Sequence, residues 1–227
     1  MIPKIIHLTY KHAPPAYVLD RWRKLNPDYR IDFSLDADCL QFMKENCSPE
    51  IVRVYQEIGN PMYMSDLWRL IKLYKEGGVY ADIDLVPYVP LDELFKDSYT
   101  LYSNLSAEPN SIFQALLATT PKNPIILKCI ESFMMNKPYL AGNGPTRDMY
   151  SVFARILEVS GISSERPYFV VVDGEPNTIF LFTEHLGDDS FYVNQVKNAY
   201  VSWGGKKIIG SRDPGYFNAK RFGVEWT

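Results

Sequence analysis

The sequence predicts an α/β fold, a single domain over residues 1–227 with a mostly parallel central sheet flanked by helices. Three observations carry that prediction. Strand-like and helix-like segments alternate along the first half of the chain, and such alternation builds parallel sheets through right-handed crossovers. A helical segment with one apolar face halts at Gly77-Gly78 and runs directly into a β-branched and aromatic segment. The 227 residues, 46% hydrophobic and 22% charged, suffice for a substantial core and match a folded chain rather than a disordered one.

Pro3 to Thr9 reads as the first strand, Ala16 to Leu25 as a helix and Tyr29 to Leu35 as the second strand. Asp36 to Glu45 reads as a helix with Asp36 or Asp38 as its cap. Leu67, Leu70, Ile71 and Tyr74 then fall at helical offsets that place them on one core-facing stripe. The Gly pair ends this helix, because a left-handed residue after the last turn is nearly free for Gly. Val79 to Val86 has strand composition. Pro87 and Pro90 break it, and Leu91 to Phe95 reads as a short helix. Asn123-Pro124 opens a helix through Met135, with Pro124 suited to a first turn. A further helix spans Thr146 to Val159, and Tyr168 to Val172 is an apolar strand. The last third mixes short strands with loops at Gly204-Gly205 and Asp213-Pro214-Gly215.

Chemistry concentrates between residues 63 and 84. Asp66 and Arg69 lie three apart and share a helix face; taken alone they are an ordinary surface ion pair. In an extended strand, Asp82 and Asp84 project to the same side. Two carboxylates forced together repel unless a cation sits between them. Hard divalent ions with oxygen ligands, Mn²⁺ or Mg²⁺, suit such a pair and complete their shell with water and phosphate oxygens. A solvated strand end that happens to carry two acids is the plain alternative.

Several function classes lose support. A formal charge of −3 argues against a general nucleic-acid binder. There is no G-x-G-x-x-G and no P-loop, so dinucleotide and ATP phosphate cradles are not indicated. Cys39, Cys47 and Cys129 have neither zinc-site spacing nor an even count, and read as free thiols in a reducing compartment. No long apolar run predicts a transmembrane segment and no secretory core opens the chain, so a soluble, cytoplasmic protein is expected.

The run Ser65-Asp66-x-x-Arg69, Leu73-Tyr74-x-x-Gly77-Gly78-Val79-Tyr80-x-Asp82-x-Asp84, then Pro90-Leu91-Asp92, resembles the core motif of the Asp-x-Asp sugar transferases of glycosyltransferase family 32. That family includes yeast-type mannosyltransferases and bacterial and viral surface-polysaccharide enzymes. Ile2-Pro3-Lys4-Ile5-Ile6-His7-Leu8-Thr9-Tyr10 resembles its first strand, with Tyr10 where Trp is common. Asn26-Pro27-Asp28-Tyr29, Gly144-Pro145-Thr146 and Ser202-Trp203 are sparser matches. The resemblance implies the GT-A, Rossmann-like fold, with a nucleotide-sugar and metal-binding half over 1–100 and an acceptor side with a C-terminal closing loop over 101–227. It implies a metal-dependent transfer from a UDP- or GDP-sugar to a glycan or other hydroxyl acceptor, with retention of configuration.

By the same resemblance Asp82 and Asp84 hold Mn²⁺ or Mg²⁺, and Asp66 and Arg69 hold sugar hydroxyls. Thr9 and Tyr10 hold base and ribose, Ser202 and Trp203 lie at the donor, Trp203 closing over it or serving as a purely structural buried Trp, and Gly144 and Pro145 lie near the acceptor. Lys206 and Lys207 add positive charge, or are a solvated pair. The family often has a His before Ser202-Trp203; this chain has none there, so Asn198, Ser202 or water is the expected third metal ligand. His185 is a further substitute, though a surface-loop role suits it better, and His7 reads as a core residue. Asp188-Asp189 reads as a solvated turn. Acceptor loops are expected at Ser103 to Ser111 and Tyr139 to Arg147. A nucleotide-sugar hydrolase and a non-catalytic nucleotide-sugar-binding module are the alternatives.

Overall fold

A computed structural model describes residues 1–141, 144–186 and 199–210. Its helices are α1 (Ala16–Leu25), α2 (Asp36–Asn46), α3 (Pro49–Ile58), α4 (Pro61–Glu76), α5 (Leu91–Leu94), α6 (Pro124–Asn136) and α7 (Gly144–Leu157), with a 3-10 turn at Pro138–Leu140. The strands are β1 (Ile5–Thr9), β2 (Arg30–Ser34), β3 (Gly78–Ala81), β4 (Val86–Pro87), β5 (Leu101–Leu105), β6 (Leu116–Thr119), β7 (Pro167–Val172), β8 (Glu175–His185), β9 (Tyr200–Trp203) and β10 (Lys206–Gly210). No helix among the described residues is long and apolar enough to cross a membrane.

Among the described residues, the ten strands join one sheet in the order β2-β1-β3-β6-β5-β8-β9-β10-β4, with β7 alongside β8. The expected mostly parallel sheet is corrected to a mixed one. Only β1–β2, β1–β3 and β5–β8 pair in parallel, and the other six pairings are antiparallel. The physical reason lies in the second half of the chain, where β7–β8 and β9–β10 are joined by tight turns at Asp173-Gly174 and Gly204-Gly205. Turns of two residues connect antiparallel strands; parallel neighbours need long crossovers.

Alternate residues of the central strands feed two cores on the two faces of the sheet. Tyr80, Leu101, Leu117, Ile179 and Leu181 pack under α2, α3, α4, α6 and α7, with Trp68, Phe133 and Phe153. Ile6, Leu8, Val79, Tyr102, Phe180 and Phe182 pack on the opposite side with Trp22 of α1.

The turn out of α4 explains the Gly pair. Asn60 caps the start of α4 by accepting from Met62 N–H at 3.0 Å, Pro61 occupies its first turn, and Gly77 N–H closes on Leu73 O at 2.8 Å. Gly77 and Gly78 have φ of 65° and 94°. A Cβ on Gly77 would stand 2.7 Å from Pro121, and one on Gly78 would stand 2.8 Å from Ile5 O. The chain therefore passes from α4 into β3 through a gap only glycine fits.

Helix α1 matches its expected bounds, and β1, β2, α2, α5, α6, α7 and β7 fall within two residues of theirs. Helix α3 was not expected, although Ser48-Pro49 carries the signature of a helix start and Ser48 does cap it. The expected strand over Val79 to Val86 is split: β3 ends at Ala81 and a turn follows before β4.

Candidate active site

A cavity of about 510 Å³ opens at the carboxyl ends of the three strands β2, β1 and β3. Thr9, Tyr10 and Lys11 reach it from β1, Asp36 and Cys39 from beyond β2, and Asp82, Ile83 and Asp84 from beyond β3. Tyr55 of α3, the first turns of α4 (Pro61, Met62, Met64, Ser65, Trp68) and Tyr80 complete the wall. Carboxyl ends of parallel strands are where open α/β sheets bind ligands, because the loops there can diverge around a crevice.

Asp82 and Asp84 do meet at this cavity, but not through strand alternation. Asp82 is the first residue past β3, tied to the sheet by its N–H to Ala115 O at 2.8 Å. Leu85 N–H then returns to Asp82 O at 3.0 Å, folding Asp82-Ile83-Asp84 into a turn, and Arg21 of α1 donates to Ile83 O at 2.9 Å. Backbone hydrogen bonding on both sides of the turn, rather than the pleat, sets where the two carboxylates stand.

Arg69 organises the inner wall. It is 4% exposed, and each of its nitrogens has a partner: Nε donates to Ser65 O at 3.2 Å, Nη1 to Gln114 O at 2.8 Å and Nη2 to Ser65 Oγ at 3.2 Å. Nη2 also pairs with Asp66 Oδ1 at 3.1 Å and Asp82 Oδ1 at 3.4 Å, and the guanidinium lies over the Tyr80 ring, 4.3 Å from its centroid. Burial works against its charge, but Tyr80, Asp82, Asp66 and Asp84 together hold it firmly protonated. The surface ion-pair reading of Asp66 and Arg69 is thus replaced by a buried network, whose charges are costly unless every partner stays in place.

Two further pKa values follow from that burial. Asp66, 6% exposed, is pushed up to about 6 by desolvation, with Asp82 adding to the rise and Arg69 opposing it. The Tyr80 hydroxyl is raised well above its ordinary value by burial first, then by Asp82, to whose Oδ1 it donates at 2.6 Å. Both Tyr80 and Arg69 contact Oδ1 of Asp82, which leaves Oδ2 as the oxygen for a ligand; the side chain keeps 35% of its surface exposed. With Asp84 on the same turn, the donor set is two carboxylates at one cavity, and it fits a hard divalent ion completed by water and phosphate oxygens.

A second acid cluster does not fit a metal. His7, Asp32 and Glu76 bring ligand atoms within 4.8 Å of one another, but Lys72 Nζ already stands 3.1 Å from Asp32 and 2.5 Å from Glu76. His7 is fully buried, set between Asp32 Oδ2 at 3.1 Å and Gly77 O at 2.8 Å, in keeping with the core role expected for it. Its hydrogen bond, followed by those of Lys72, holds the Asp32 carboxyl well below the usual range.

The other predicted site residues stand elsewhere. Gly144 and Pro145, expected in a turn, form the first turn of α7; Pro145 O accepts from Gln114 Nε2 at 2.8 Å, so this helix start is joined through Gln114 to Arg69. Ser202 and Trp203 lie on β9 and Lys206 on β10, and none lines the cavity. Trp203 packs against Phe180 and Phe182, Ser202 Oγ meets His185 Nε2 at 2.8 Å, and Lys207 lies over the Tyr200 ring. His185 is therefore the end of a strand, not a surface loop. Asn198 and Asp188-Asp189 lie outside the described residues.

Sequence reasoning did not single out Tyr80, Gln114, Asp36, Cys39 or Trp68 for the site. Tyr80 had a signal, since it stands two residues before Asp82 and both were placed on one strand. Gln114 had none, because its role depends on β6 lying beside β3.

The cavity at the carboxyl strand ends, the Asp-x-Asp turn and the Arg69 network thus meet in one place. Residues 15–101 match the model of the glycosyltransferase sugar-binding region containing a DXD motif. The chain is 29% identical over 159 residues to a mannosyl phosphorylinositol ceramide synthase of Saccharomyces cerevisiae, covering 66% of this chain and 41% of that protein. It is 32% identical over 92 residues to the initiation-specific alpha-1,6-mannosyltransferase of Candida albicans, covering 39% of this chain and 24% of that one. It thus spans well under half the length of these relatives. Among solved structures, the PaToxG glycosyltransferase superposes with a TM-score of 0.52 at 18% identity, over 68% of this chain and 69% of that one, and shares the fold.

Proposed function

We propose that this chain is a glycosyltransferase domain that moves a sugar from a nucleoside-diphosphate sugar to a hydroxyl of a glycan or similar acceptor, with a divalent metal at Asp82 and Asp84. The observation that carries this reading is the single cavity walled by Thr9 and Tyr10 at one strand end and by Asp82 and Asp84 at the next, backed by Arg69. Mn²⁺ or Mg²⁺, when bound, neutralises the charge that builds on the leaving diphosphate.

The chain's own residues do the rest. Tyr10 offers a ring to the base and Thr9 marks the ribose side, its hydroxyl held by Ser34 O at 3.0 Å. Arg69 fixes Asp82 Oδ1, so Asp82 enters the reaction with one oxygen already oriented. Asp66 and Arg69 do not line the cavity themselves; they act from behind its wall, where Arg69 holds the wall residues Ser65 and Asp82 in place. Gln114 couples that wall to the start of α7, on the acceptor side. No carboxylate is assigned as nucleophile. Same-face attack, with the departing diphosphate taking the acceptor proton, gives retention.

The test is a panel of nucleotide sugars with Mn²⁺ or Mg²⁺, following sugar transferred to candidate acceptors against sugar released to water, with NMR of the first-formed product. Metal-dependent transfer that is lost in Asp84→Ala supports the reading. Free sugar as the sole product moves the chain to the hydrolases, binding without turnover makes it a binding module, and an inverted product removes the same-face mechanism.

A further inference from the structure

Strand β8 is 11 residues long, and two different strands share its outer side. Its first half, from Glu175 to Phe180, pairs with β7, and Thr183, Glu184 and His185 pair with β9. From β9 the sheet continues through β10 to β4, whereas β7 has β8 as its only strand partner among the described residues. The described sheet therefore has a notch beside β7. The turn between β9 and β10 stands at the top of that notch, where Gly204 N–H donates to Glu165 Oε2 at 3.2 Å, two residues before β7 begins.

An open strand edge is a template for another strand, and folded proteins blunt such edges with charges, prolines or short length. The other two edges are blunted in this way. Strand β2 carries Arg30 and Asp32, and β4 is two residues long and ends in Pro87. Strand β7 reads Pro167-Tyr168-Phe169-Val170-Val171-Val172, with no charge inside it and proline only at its first position. Tyr168 and Val172 belong to the core under the helices, but Phe169 and Val171, on the other face, are 74% and 73% exposed. The edge is thus apolar, β-branched and unprotected.

Its sequence is complementary to itself. When β7 pairs antiparallel with the β7 of a second copy about a two-fold axis through Val170, Phe169 of each copy comes opposite Val171 of the other. Aromatic and β-branched residues in direct opposition are among the pairs that stabilise antiparallel ladders. The same register brings the exposed acids Asp173 and Glu175, at the β7–β8 tip of one copy, beneath the β9–β10 turn of the other. Exposed bases stand there: Arg166, Lys206 and Lys207. Asp173 keeps 55% of its side chain exposed beside Lys128, so it is open to this second contact. We propose that β7 is the seam of a two-fold dimer of this chain, with one sheet running through both copies. A strand of another protein could fill the edge, but a copy brings the acidic tip to the basic turn at both ends of the seam. No residue of β7 or of either turn lines the cavity, so both cavities stay open in the dimer.

Sedimentation equilibrium of the full chain, over about 1 to 100 μM, tests this, because a seam of one strand is a small interface with micromolar affinity. The mass is expected to rise from that of one chain to that of two and to stop there. Val171→Lys, at an exposed side chain, is expected to leave the circular dichroism melt unchanged and to weaken association about tenfold or more. Lys206→Glu with Lys207→Glu is expected to weaken it similarly, and adding Asp173→Lys with Glu175→Lys to the same chain is expected to restore it. Hydrogen exchange at the Val170 amide is expected to slow as concentration rises. A chain that stays monomeric throughout overturns the proposal, as does a mass that grows beyond two chains. So does a dimer that survives both Val171→Lys and the charge reversal, or a Val170 amide protected equally in the monomer, which would mean that a segment of the same chain covers the edge.

Discussion

The parallel strands β2, β1 and β3 and the mixed run from β6 to β4 belong to one sheet, yet they use their side chains differently. The parallel end sends Thr9, Tyr10, Asp36, Asp82 and Asp84 into one cavity. The mixed end gathers aromatic rings: Tyr102 stacks on Phe182 at 5.8 Å, and Phe180, Phe182 and Trp203 meet edge to face. Position along the strands accounts for the contrast. The cavity residues stand at or beyond the carboxyl ends of parallel neighbours, where loops with polar residues collect on one edge; Tyr102, Phe180 and Phe182 stand within β5 and β8, themselves a parallel pair, on the face buried in the core. The two regions join where Gln114, just before β6, holds Arg69.

The largest effect that separates the regions is expected from Phe182→Ala. Phe182 is 1% exposed within the aromatic group, and its loss should cost about 3–5 kcal/mol of stability, measured by denaturant unfolding. Nucleotide affinity of the folded fraction should not change. A comparable loss of affinity would mean that the two regions are not separable.

Next in size is the pH dependence set by Asp66. Its folded pKa of about 6 lies above the ordinary carboxylate value, so the native state holds a proton that the unfolded chain releases. The stability this provides is complete below about pH 4 and is lost as pH rises through about 6. Asp66→Asn removes the titrating group, so its melting temperature relative to the wild type should climb between pH 4 and 7. A difference that is flat with pH would show that Asp66 is ionised throughout. The smallest effect is expected from Asp38→Ala, about 1 kcal/mol from the lost Leu35 contact, with the nucleotide preference unchanged.

What could be read in the sequence follows the same division. Most of the first 95 residues were legible because strong local signals coincide there, among them a 3.6-residue apolar stripe on α4 and a Gly pair, although α3 and the break after β3 were missed. The second half was not, since β5 and β6 pair with β8 and β3, and β10 with β4, all far away in the chain. Their apolar runs also do not specify direction. At the site, Asp82 and Asp84 were legible as a pair, but the turn that unites them depends on Ala115 and Arg21. Asp36 or Asp38 was expected to cap α2; Leu35 holds that position instead, Asp38 accepts its N–H, and Asp36 lines the cavity.

The most direct test of the account is the metal dependence of nucleoside-diphosphate binding. GDP titrated into the wild-type chain with and without Mn²⁺, and then into Asp84→Ala, isolates the proposed role of the Asp-x-Asp turn. The account predicts that Mn²⁺ tightens binding by about tenfold or more in the wild type and changes nothing in Asp84→Ala. The same affinity in all four titrations, or a metal effect that survives the loss of Asp84, would contradict it.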